Sequence, residues 1–198
     1  GVFQLYFRGE HKQLALLPED ITTSSRNSGL KLGGSTAGIN YYGVDELNIE
    51  FGHLVDNVNI QGISANTTLS LNGGDDNIFI SSEASIATTE EAQNISFLEG
   101  TLDEINNNLQ IITGTGSHRL FLSDASGVRS RNAIITDNRA EAIPSLDVGD
   151  SIPTDFDLYM VGLANKPIAI EVADTGDLLS GTAIWTGSEN DTLTIHGS

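Results

Sequence analysis

The stretch Gly73-Gly-Asp-Asp-Asn-Ile-Phe-Ile80 decides the fold, because its glycine turn, aspartate and alternating apolar strand recur along the chain. Three other stretches repeat the pattern with variations: Gly52-His-Leu-Val-Asp-Asn-Val-Asn-Ile60, Gly114-Thr-Gly-Ser-His-Arg-Leu-Phe-Leu122 and Gly187-Ser-Glu-Asn-Asp-Thr-Leu-Thr-Ile195. Asp56 and Asp76 stand 20 residues apart, about one coil of a parallel β-solenoid. We therefore predict an all-β fold, a parallel β-solenoid or β-helix-like repeat with short helical insertions.

Apolar and polar residues alternate with a period of two through most of the chain, which favours strands. The predicted strands are Phe3–Phe7, Gln13–Leu17, Leu47–Phe51, Asn57–Gln61, Thr68–Leu71, Asn77–Ser81, Leu109–Thr113, Arg119–Ser123, Ala133–Thr136, Asp157–Val161, Ile168–Val172, Thr182–Trp185 and Thr192–His196. Ten side chains in these strands are expected to face inward: Leu47, Ile49, Val58, Ile60, Leu69, Leu71, Ile78, Ile80, Leu193 and Ile195.

Four segments interrupt this alternation. Ser82–Glu99 contains Thr88-Thr-Glu-Glu-Ala-Gln, which predicts a short capped helix, and Leu102–Asn108 predicts another helical turn. Ser24–Gly38 is rich in Ser, Gly and Asn and is predicted to be a long loop. Asp137–Thr154 contains two prolines and several acidic residues, which is typical of a connector.

A longer repeat is visible between the two ends of the chain. Phe3-Gln-Leu-Tyr-Phe-Arg-Gly9 is similar to Phe156-Asp-Leu-Tyr-Met-Val-Gly162, and each is followed by a lysine-containing turn and an apolar strand. The predicted organisation is therefore opening strands and a loop at 1–40, core coils at 41–123, a connector at 124–155 and the start of a second copy at 156–198. Because the chain begins within a strand, we expect it to be part of a longer polypeptide.

The formal net charge of −18, from 9 basic and 27 acidic residues among 198, repels nucleic acid and anionic membranes and attracts cations. An acidic surface of this kind also keeps a protein soluble, so the charge alone does not predict a cation site. No apolar run approaches the ~18 residues of a membrane span. There is no cysteine, which excludes disulfides and thiolate metal sites.

The repeated motifs resemble those of a known group of proteins. Tyr42-Gly-Val-Asp-Glu-Leu-Asn-Ile-Glu-Phe-Gly52, followed by Asp56-Asn-Val-Asn-Ile-Gln-Gly62 and Asn66-Thr-Thr-Leu-Ser-Leu-Asn-Gly-Gly-Asp-Asp-Asn-Ile-Phe-Ile80, is similar to tandem repeats of very large secreted bacterial and algal proteins. Those proteins are distantly similar to the calcium-binding repeats-in-toxin family. The resemblance implies an extracellular or cell-surface location, a repeat architecture and calcium binding.

The residues themselves indicate only weak calcium sites. The repeats-in-toxin pattern recurs without interruption, whereas the copies here are separated and His118 replaces the aspartate in one of them. The weak calcium candidates are Asp56, Asp75, Asp76, Glu189 and Asp191. Hydrogen bonding of these aspartates to turn amides is the alternative. Calcium is the one cofactor considered, and we expect it to be at most a modest stabiliser.

The sequence does not favour an enzyme. Basic residues are few, only Arg129, Arg131 and Arg139 lie near one another, and the four histidines lack metal-ligand spacing. Three sequons, at Asn66, Asn94 and Asn190, predict N-glycosylation beside turns, and Thr22–Ser25 and Thr88-Thr89 offer hydroxyls for O-glycans.

We therefore expect a structural repeat module of a long extracellular filament, matrix or surface protein, with itself as partner, head to tail. The predicted assembly strand carries Val2, Phe3, Leu5, Tyr6 and Phe7, too much apolar surface to leave in water. The alternative is a calcium-dependent or carbohydrate-binding adhesin module. In that case Tyr41, Tyr42 and Trp185 are the candidates for stacking on sugars, and core packing is the alternative role for these aromatics.

Overall fold

The alternating segments form strands in a computed structural model that describes residues 2–6, 14–18, 29–32, 39–42, 44–86, 88–136, 157–172 and 176–196. The strands are β1 (Val2–Tyr6), β2 (Leu14–Pro18), β3 (Gly29–Leu32), β4 (Ile39–Tyr42), β5 (Glu46–Glu50), β6 (Asn57–Ile60), β7 (Asn66–Ser70), β8 (Asn77–Ile80), β9 (Leu109–Ile112), β10 (Gly116–Ser123), β11 (Asn132–Thr136), β12 (Leu158–Val161), β13 (Ile168–Glu171), β14 (Gly176–Trp185) and β15 (Thr192–His196). One short helix, α1, spans Thr89–Asn94. The all-β prediction is confirmed.

Two open sheets contain all of these strands. The first has the order β1-β5-β7-β9-β13-β12-β11-β15, and the second has the order β14-β10-β8-β6-β2-β4-β3. From β5 to β10 the chain alternates between the sheets at every strand. Neighbours pair in parallel except at β11–β12, β12–β13 and β3–β4.

The spacing between paired strands varies, but the alignment of apolar positions is kept in the pairs β5–β7, β6–β8 and β8–β10. Glu46 pairs with Asn66 and Asn57 pairs with Asn77, so β5–β7 and β6–β8 each repeat after 20 residues. The β8–β10 pair repeats after 42 residues and keeps the same alignment of apolar positions, Ile78 with Leu120. The additional residues therefore lie in the connections between strands, and the same side chains still face inward.

Glycine is required at the turns because neighbouring turns lie in contact. Gly116 has a φ of +126°, and any side chain there would collide with the carbonyl of Gly74. Gly176 pairs with Gly116, and a side chain on Gly176 would collide with the carbonyl of Gly114. The recurring Gly-led turns in the sequence thus have a steric cause.

The core lies between the two sheets. Eight of the ten side chains predicted to face inward are fully buried there: Leu47, Ile49, Val58, Ile60, Leu69, Leu71, Ile78 and Ile80. The other two, Leu193 and Ile195, are 40% and 69% exposed, so the prediction is wrong for β15. Within the described residues β15 is the outer strand of its sheet, and this explains the exposure.

The segment between β8 and β9 covers the outer face of the seven-stranded sheet. Thr88 caps α1 through a capping box with Glu91, which confirms the predicted helix. Phe79 packs against Ala92 and Leu98 beneath it. Strands β6 and β8 are consequently buried on both faces.

Two other predictions for irregular segments are wrong. The predicted loop Ser24–Gly38 contains strand β3, whose alternation is too short to detect among glycines. The predicted helical turn at Leu102–Asn108 is not helical: Leu102 and Ile105 are buried, and Ile105 forms a parallel bridge with Ile63. Tertiary contacts, which have no local pattern, decide both segments.

The resemblance between Phe3–Gly9 and Phe156–Gly162 does not correspond to equivalent positions. β1 pairs in parallel with β5, whereas β12 is antiparallel to both of its neighbours. The strands that follow, β2 and β13, lie in different sheets. A different correspondence does exist, because Gly116 aligns with Gly176 and Asn132 aligns with Thr192, with a bulge in the β10–β14 pair between Ser117 and Arg119. The segments β10–β11 and β14–β15 therefore follow the same course side by side.

Candidate functional site

Three side chains form a buried polar column where strands of the seven-stranded sheet begin. Asp56 and Asp76 immediately precede β6 and β8, His118 lies near the start of β10, and the register of these three strands puts the residues at matching positions. All three are buried. The backbone amide of Asp56 donates a hydrogen bond of 2.9 Å to Oδ1 of Asp76. The shared motif predicts that Asp56, Asp76 and Asp191 occupy equivalent turns, with His118 as the degenerate fourth, and the register bears this out for Asp56, Asp76 and His118.

The contact between Asp76 and His118 depends on the protonation of the imidazole. Nδ1 of His118 lies 3.3 Å from Oδ2 of Asp76 and 3.4 Å from the backbone nitrogen of Asp76. A bare Nδ1 accepts from this amide, whereas a protonated Nδ1 donates to the carboxylate. Burial raises the pKa of Asp76 above its ordinary 3.8, even though the hydrogen bonds from His118 and the Asp56 amide oppose the shift.

We expect Asp76→Asn to change the pH dependence of stability. Below pH 3.8 the carboxyl group is protonated in both the folded and the unfolded chain. As the pH rises through the raised pKa, the folded chain must ionise a buried group, so its free energy of unfolding falls relative to that of the asparagine variant. Urea unfolding followed by circular dichroism over a pH series measures this difference.

The sign of the change separates burial from a general effect of the substitution. A difference between Asp76→Asn and the unsubstituted protein that is constant over the pH series, or that favours the unsubstituted protein as the pH rises, would contradict the role of burial.

Asp191 does not belong to the polar column, contrary to the sequence-based expectation. It precedes β15 in the eight-stranded sheet, and its Oδ1 accepts a hydrogen bond of 2.7 Å from the backbone amide of Arg131. The expectation was wrong because the same pattern of glycine turn, aspartate and strand opens strands in both sheets. The sequence motif therefore specifies the turn but not the sheet.

Arg131 forms a buried ion-pair network that the sequence did not reveal. Its Nε lies 2.7 Å from Oδ2 of Asp124, and its Nη2 lies 2.6 Å from Oδ1 of Asp103. Asp124 is fully buried, and its Oδ1 also accepts from the amide of Leu102 at 2.9 Å. Hydrogen bonding to Asp124 holds the pKa of Arg131 above its usual range. The network fastens the corner between β10 and β11 to the segment before β9.

The calcium candidates fall into two groups, and backbone amides donate to three of them, Asp75, Asp76 and Asp191. Asp56, Asp75 and Asp76 lie before β6 and β8, and Oδ1 of Asp75 accepts from the amide of Ser117 at 2.9 Å. Glu189 and Asp191 lie before β15, with Glu189 exposed. Within the described ranges, no three His, Asp or Glu side chains come together to hold a metal ion. Weak calcium binding stays a prediction.

The three sequon asparagines are accessible. Asn66 opens β7, Asn94 ends α1 and Asn190 precedes β15, and all three are exposed. Nδ2 of Asn94 donates a hydrogen bond of 2.8 Å to the carbonyl of Glu90. Thr88 and Thr89 are exposed as well, whereas Thr22–Ser25 lies outside the described residues. Glycosylation stays a prediction at each site.

The aromatic candidates for sugar binding have different environments. Tyr41 is buried, and its hydroxyl accepts from the amide of Ser64 at 2.8 Å, which corresponds to the core-packing alternative. Trp185 is half-buried and stacks on Phe121 with ring centroids 5.9 Å apart, while Phe97 meets its edge at 5.8 Å. The side chain of Tyr42 lies outside the described residues.

The candidate assembly surface consists of the two outer strands of the eight-stranded sheet. The predicted strand forms β1, which pairs with β5 on one side; Phe7 lies outside the described residues. At the opposite edge β15 pairs with β11, and all five of its residues are exposed. Among the described strands, neither β1 nor β15 has a second neighbour.

No protein-family model, curated protein or solved structure matches the chain. In the part of the chain that the structure describes, α1 is too short to cross a bilayer, and no longer apolar helix is present. The interpretation of function therefore rests on the edges of the sheets.

Proposed function

We propose that this chain is a structural repeat module of a long extracellular filament, matrix or surface protein, in which β-solenoid coils join end to end. The observation that carries the proposal is the exposure of β15. This strand has the apolar alternation of the buried strands, yet its side chains lie in solvent.

The parallel register supports the solenoid part of the proposal. Between β5 and β10, each passage of the chain contributes one strand to each sheet, and each strand pairs with its equivalent one passage later. Parallel neighbours with a constant register and a variable connection are typical of stacked coils. Leu69, for example, lies between Ile49 and Ile111 in a column of inward-facing side chains.

Comparison of β11 with β15 shows what the outer strand lacks. Ala133 pairs with Leu193 and Ile135 pairs with Ile195. Ala133 and Ile135 are buried, whereas the two residues of β15 are exposed. A further coil beyond β15 would bury Leu193 and Ile195 in the same way, and it would also satisfy the outward backbone groups of the edge.

The two free edges lie at opposite ends of one sheet, so contact between them is heterologous. An edge that binds the opposite edge of another copy leaves a new free edge each time, and assembly continues as a fibre. Covalent tandem repeats would give the same geometry. The exposed sequons at Asn66, Asn94 and Asn190 support an extracellular setting.

Ile195→Lys is expected to weaken assembly. Burying an isoleucine side chain contributes about 1.5–3 kcal/mol, and a lysine there would also lose hydration, so the concentration at which filaments form should rise roughly tenfold to hundredfold. Negative-stain electron microscopy and light scattering over a concentration series measure the change.

Val128→Lys is the matched control, because Val128 is 75% exposed in the loop before β11 and is not part of the outer strand β15. It adds the same charge and should leave the threshold concentration unchanged. Circular dichroism should show the same β-sheet content in both variants. If the unsubstituted protein stays monomeric at all concentrations, or if the two lysines act equally, the proposed assembly is wrong.

A further inference from the structure

We infer that β1 of one copy pairs in parallel with β15 of the next copy, in the register that sets Phe3 against Leu193 and Leu5 against Ile195. This inference rests on the proposed function, because it requires end-to-end assembly. It adds the partner strand, its direction and its alignment. Three features of the two strands support the inference: their direction, their outward backbone groups and the alignment of their apolar positions.

The first feature is direction. β1, β5, β7, β9 and β13 are joined by parallel pairing. β12 reverses direction, and β11 reverses it again, so β11 and β15 run the same way as β13. The two outer strands of the sheet therefore run in the same direction. A second copy displaced along the sheet presents its β1 parallel to β15, without rotation about a two-fold axis.

The second feature is the set of backbone groups that each edge offers. In a parallel strand the N–H and C=O groups of one residue point to one side, and those of the next residue point to the other side. The amide of Thr192 donates to the carbonyl of Arg131 at 2.8 Å, so Thr192 and Thr194 face β11. Leu193 and Ile195 therefore direct their backbone groups outward.

The same reasoning applies to β1. The amide of Asn66 donates to the carbonyl of Asp45, and the amide of Phe51 donates to the carbonyl of Ser70, so odd-numbered residues of β5 face β7. Even-numbered residues of β5 face β1. Because Val2 pairs with Glu46, Phe3 and Leu5 are the residues of β1 that bond to β5. Val2, Gln4 and Tyr6 direct their backbone groups outward.

These outward groups fit together in the inferred register. Leu193 donates to Val2 and accepts from Gln4, and Ile195 donates to Gln4 and accepts from Tyr6, which gives four backbone hydrogen bonds. After a shift of one residue, Leu193 and Ile195 would meet the backbone groups of odd-numbered residues of β1, which face β5. All four hydrogen bonds would then be lost. A shift of two residues would allow three hydrogen bonds within the described strands instead of four.

The third feature is the alignment of apolar positions. Phe3 and Leu5 share register with the buried residues Leu47 and Ile49. Leu193 and Ile195 share register with Ala133 and Ile135, which are also buried. Pairing in this register therefore aligns the apolar positions of β1 and β15 with the row of buried positions in each copy. Neither strand carries a carboxylate, so the inferred pairing places no acidic side chain of β1 beside one of β15.

Disulfide trapping tests the register, and the chain has no cysteine of its own to interfere. The test variant combines Gln4→Cys with Thr194→Cys, which the register places directly opposite each other. The control combines Gln4→Cys with Thr192→Cys, two residues out of register. Seven strand spacings of ~4.8 Å separate β1 from β15 within one molecule, so a disulfide must join two copies.

Under mild oxidation at high salt, the test variant should form a ladder of covalent oligomers on a non-reducing gel at least ~5-fold faster than the control, since directly opposed residues meet the Cα distance that a disulfide requires. Filaments that form while both variants cross-link equally, or only the control cross-links, would refute this register and leave the proposed function standing. Absence of filaments for the unsubstituted protein would refute both.

Discussion

Replacing Arg131 with methionine is expected to lower the free energy of unfolding by about 3–5 kcal/mol, because it leaves the carboxylate of Asp124 buried without its counter-ion. Asp124 is fully buried, and its Oδ2 lies 2.7 Å from the Nε of Arg131. Methionine retains much of the volume of the side chain, so the loss reports the charge rather than a cavity. Urea unfolding followed by circular dichroism and by Trp185 fluorescence measures the change.

Arg129→Met is the matched control for this prediction. The Arg129 side chain is 61% exposed and lies 3.5 Å from Asp103, a surface contact expected to contribute less than about 1 kcal/mol. The double variant Asp124→Leu/Arg131→Met removes both charges and should be more stable than Arg131→Met alone. Equal losses in the free energy of unfolding for the two arginine variants would show that the buried ion pair contributes no more to stability than the surface contact.

Leu69→Ala is expected to destabilise the protein by about 2–5 kcal/mol, through lost burial and the cavity left behind. Leu69 is fully buried between its register partners Ile49 and Ile111, on β5 and β9. The strand that carries Leu69, β7, pairs with both β5 and β9, so its backbone has little freedom to close the cavity. The free energy of unfolding from urea titration tests the prediction.

Leu179→Ala is the control for Leu69→Ala, because Leu179 is 87% exposed on β14. It removes the same atoms at a position that contributes little to the core, and the expected change is within about 0.5 kcal/mol. Comparable losses in the two variants would mean that the core between the sheets is not the main source of stability.

The parts of the fold that local sequence determines were predictable. The period of two at Asn57–Ile60 and Asn77–Ile80 gave strands with the correct inward-facing side chains. The hydroxyl of Thr88 followed three residues later by Glu91 gave the cap of α1. The spacing of 20 residues between Asp56 and Asp76 placed the two aspartates at equivalent turns.

The parts that depend on contacts between distant residues were not predictable. Arg131 and Asp103 are 28 residues apart, and no pattern in either segment distinguishes this ion pair from a solvated charge. Leu193 has the same alternating neighbours as Leu69, so the sequence alone does not distinguish an outer strand from an inner one. The sheet to which Asp191 belongs depends on the direction in which the preceding connection crosses the core. The connection between β7 and β8 leads into the seven-stranded sheet, whereas the connection between β14 and β15, of similar composition, leads into the eight-stranded sheet.

Because of the insertion between β8 and β9, the number of residues between paired strands does not determine the distance between those strands. β8 and β10 remain neighbours across 42 residues just as β6 and β8 do across 20, and the distance between adjacent strands is ~4.8 Å in either case. Residues added at this corner widen the cross-section and carry α1 outward, but they add no axial rise. Related modules are therefore expected to differ in mass and surface while keeping the same strand spacing, and the proposed fibre would accommodate modules of unequal size.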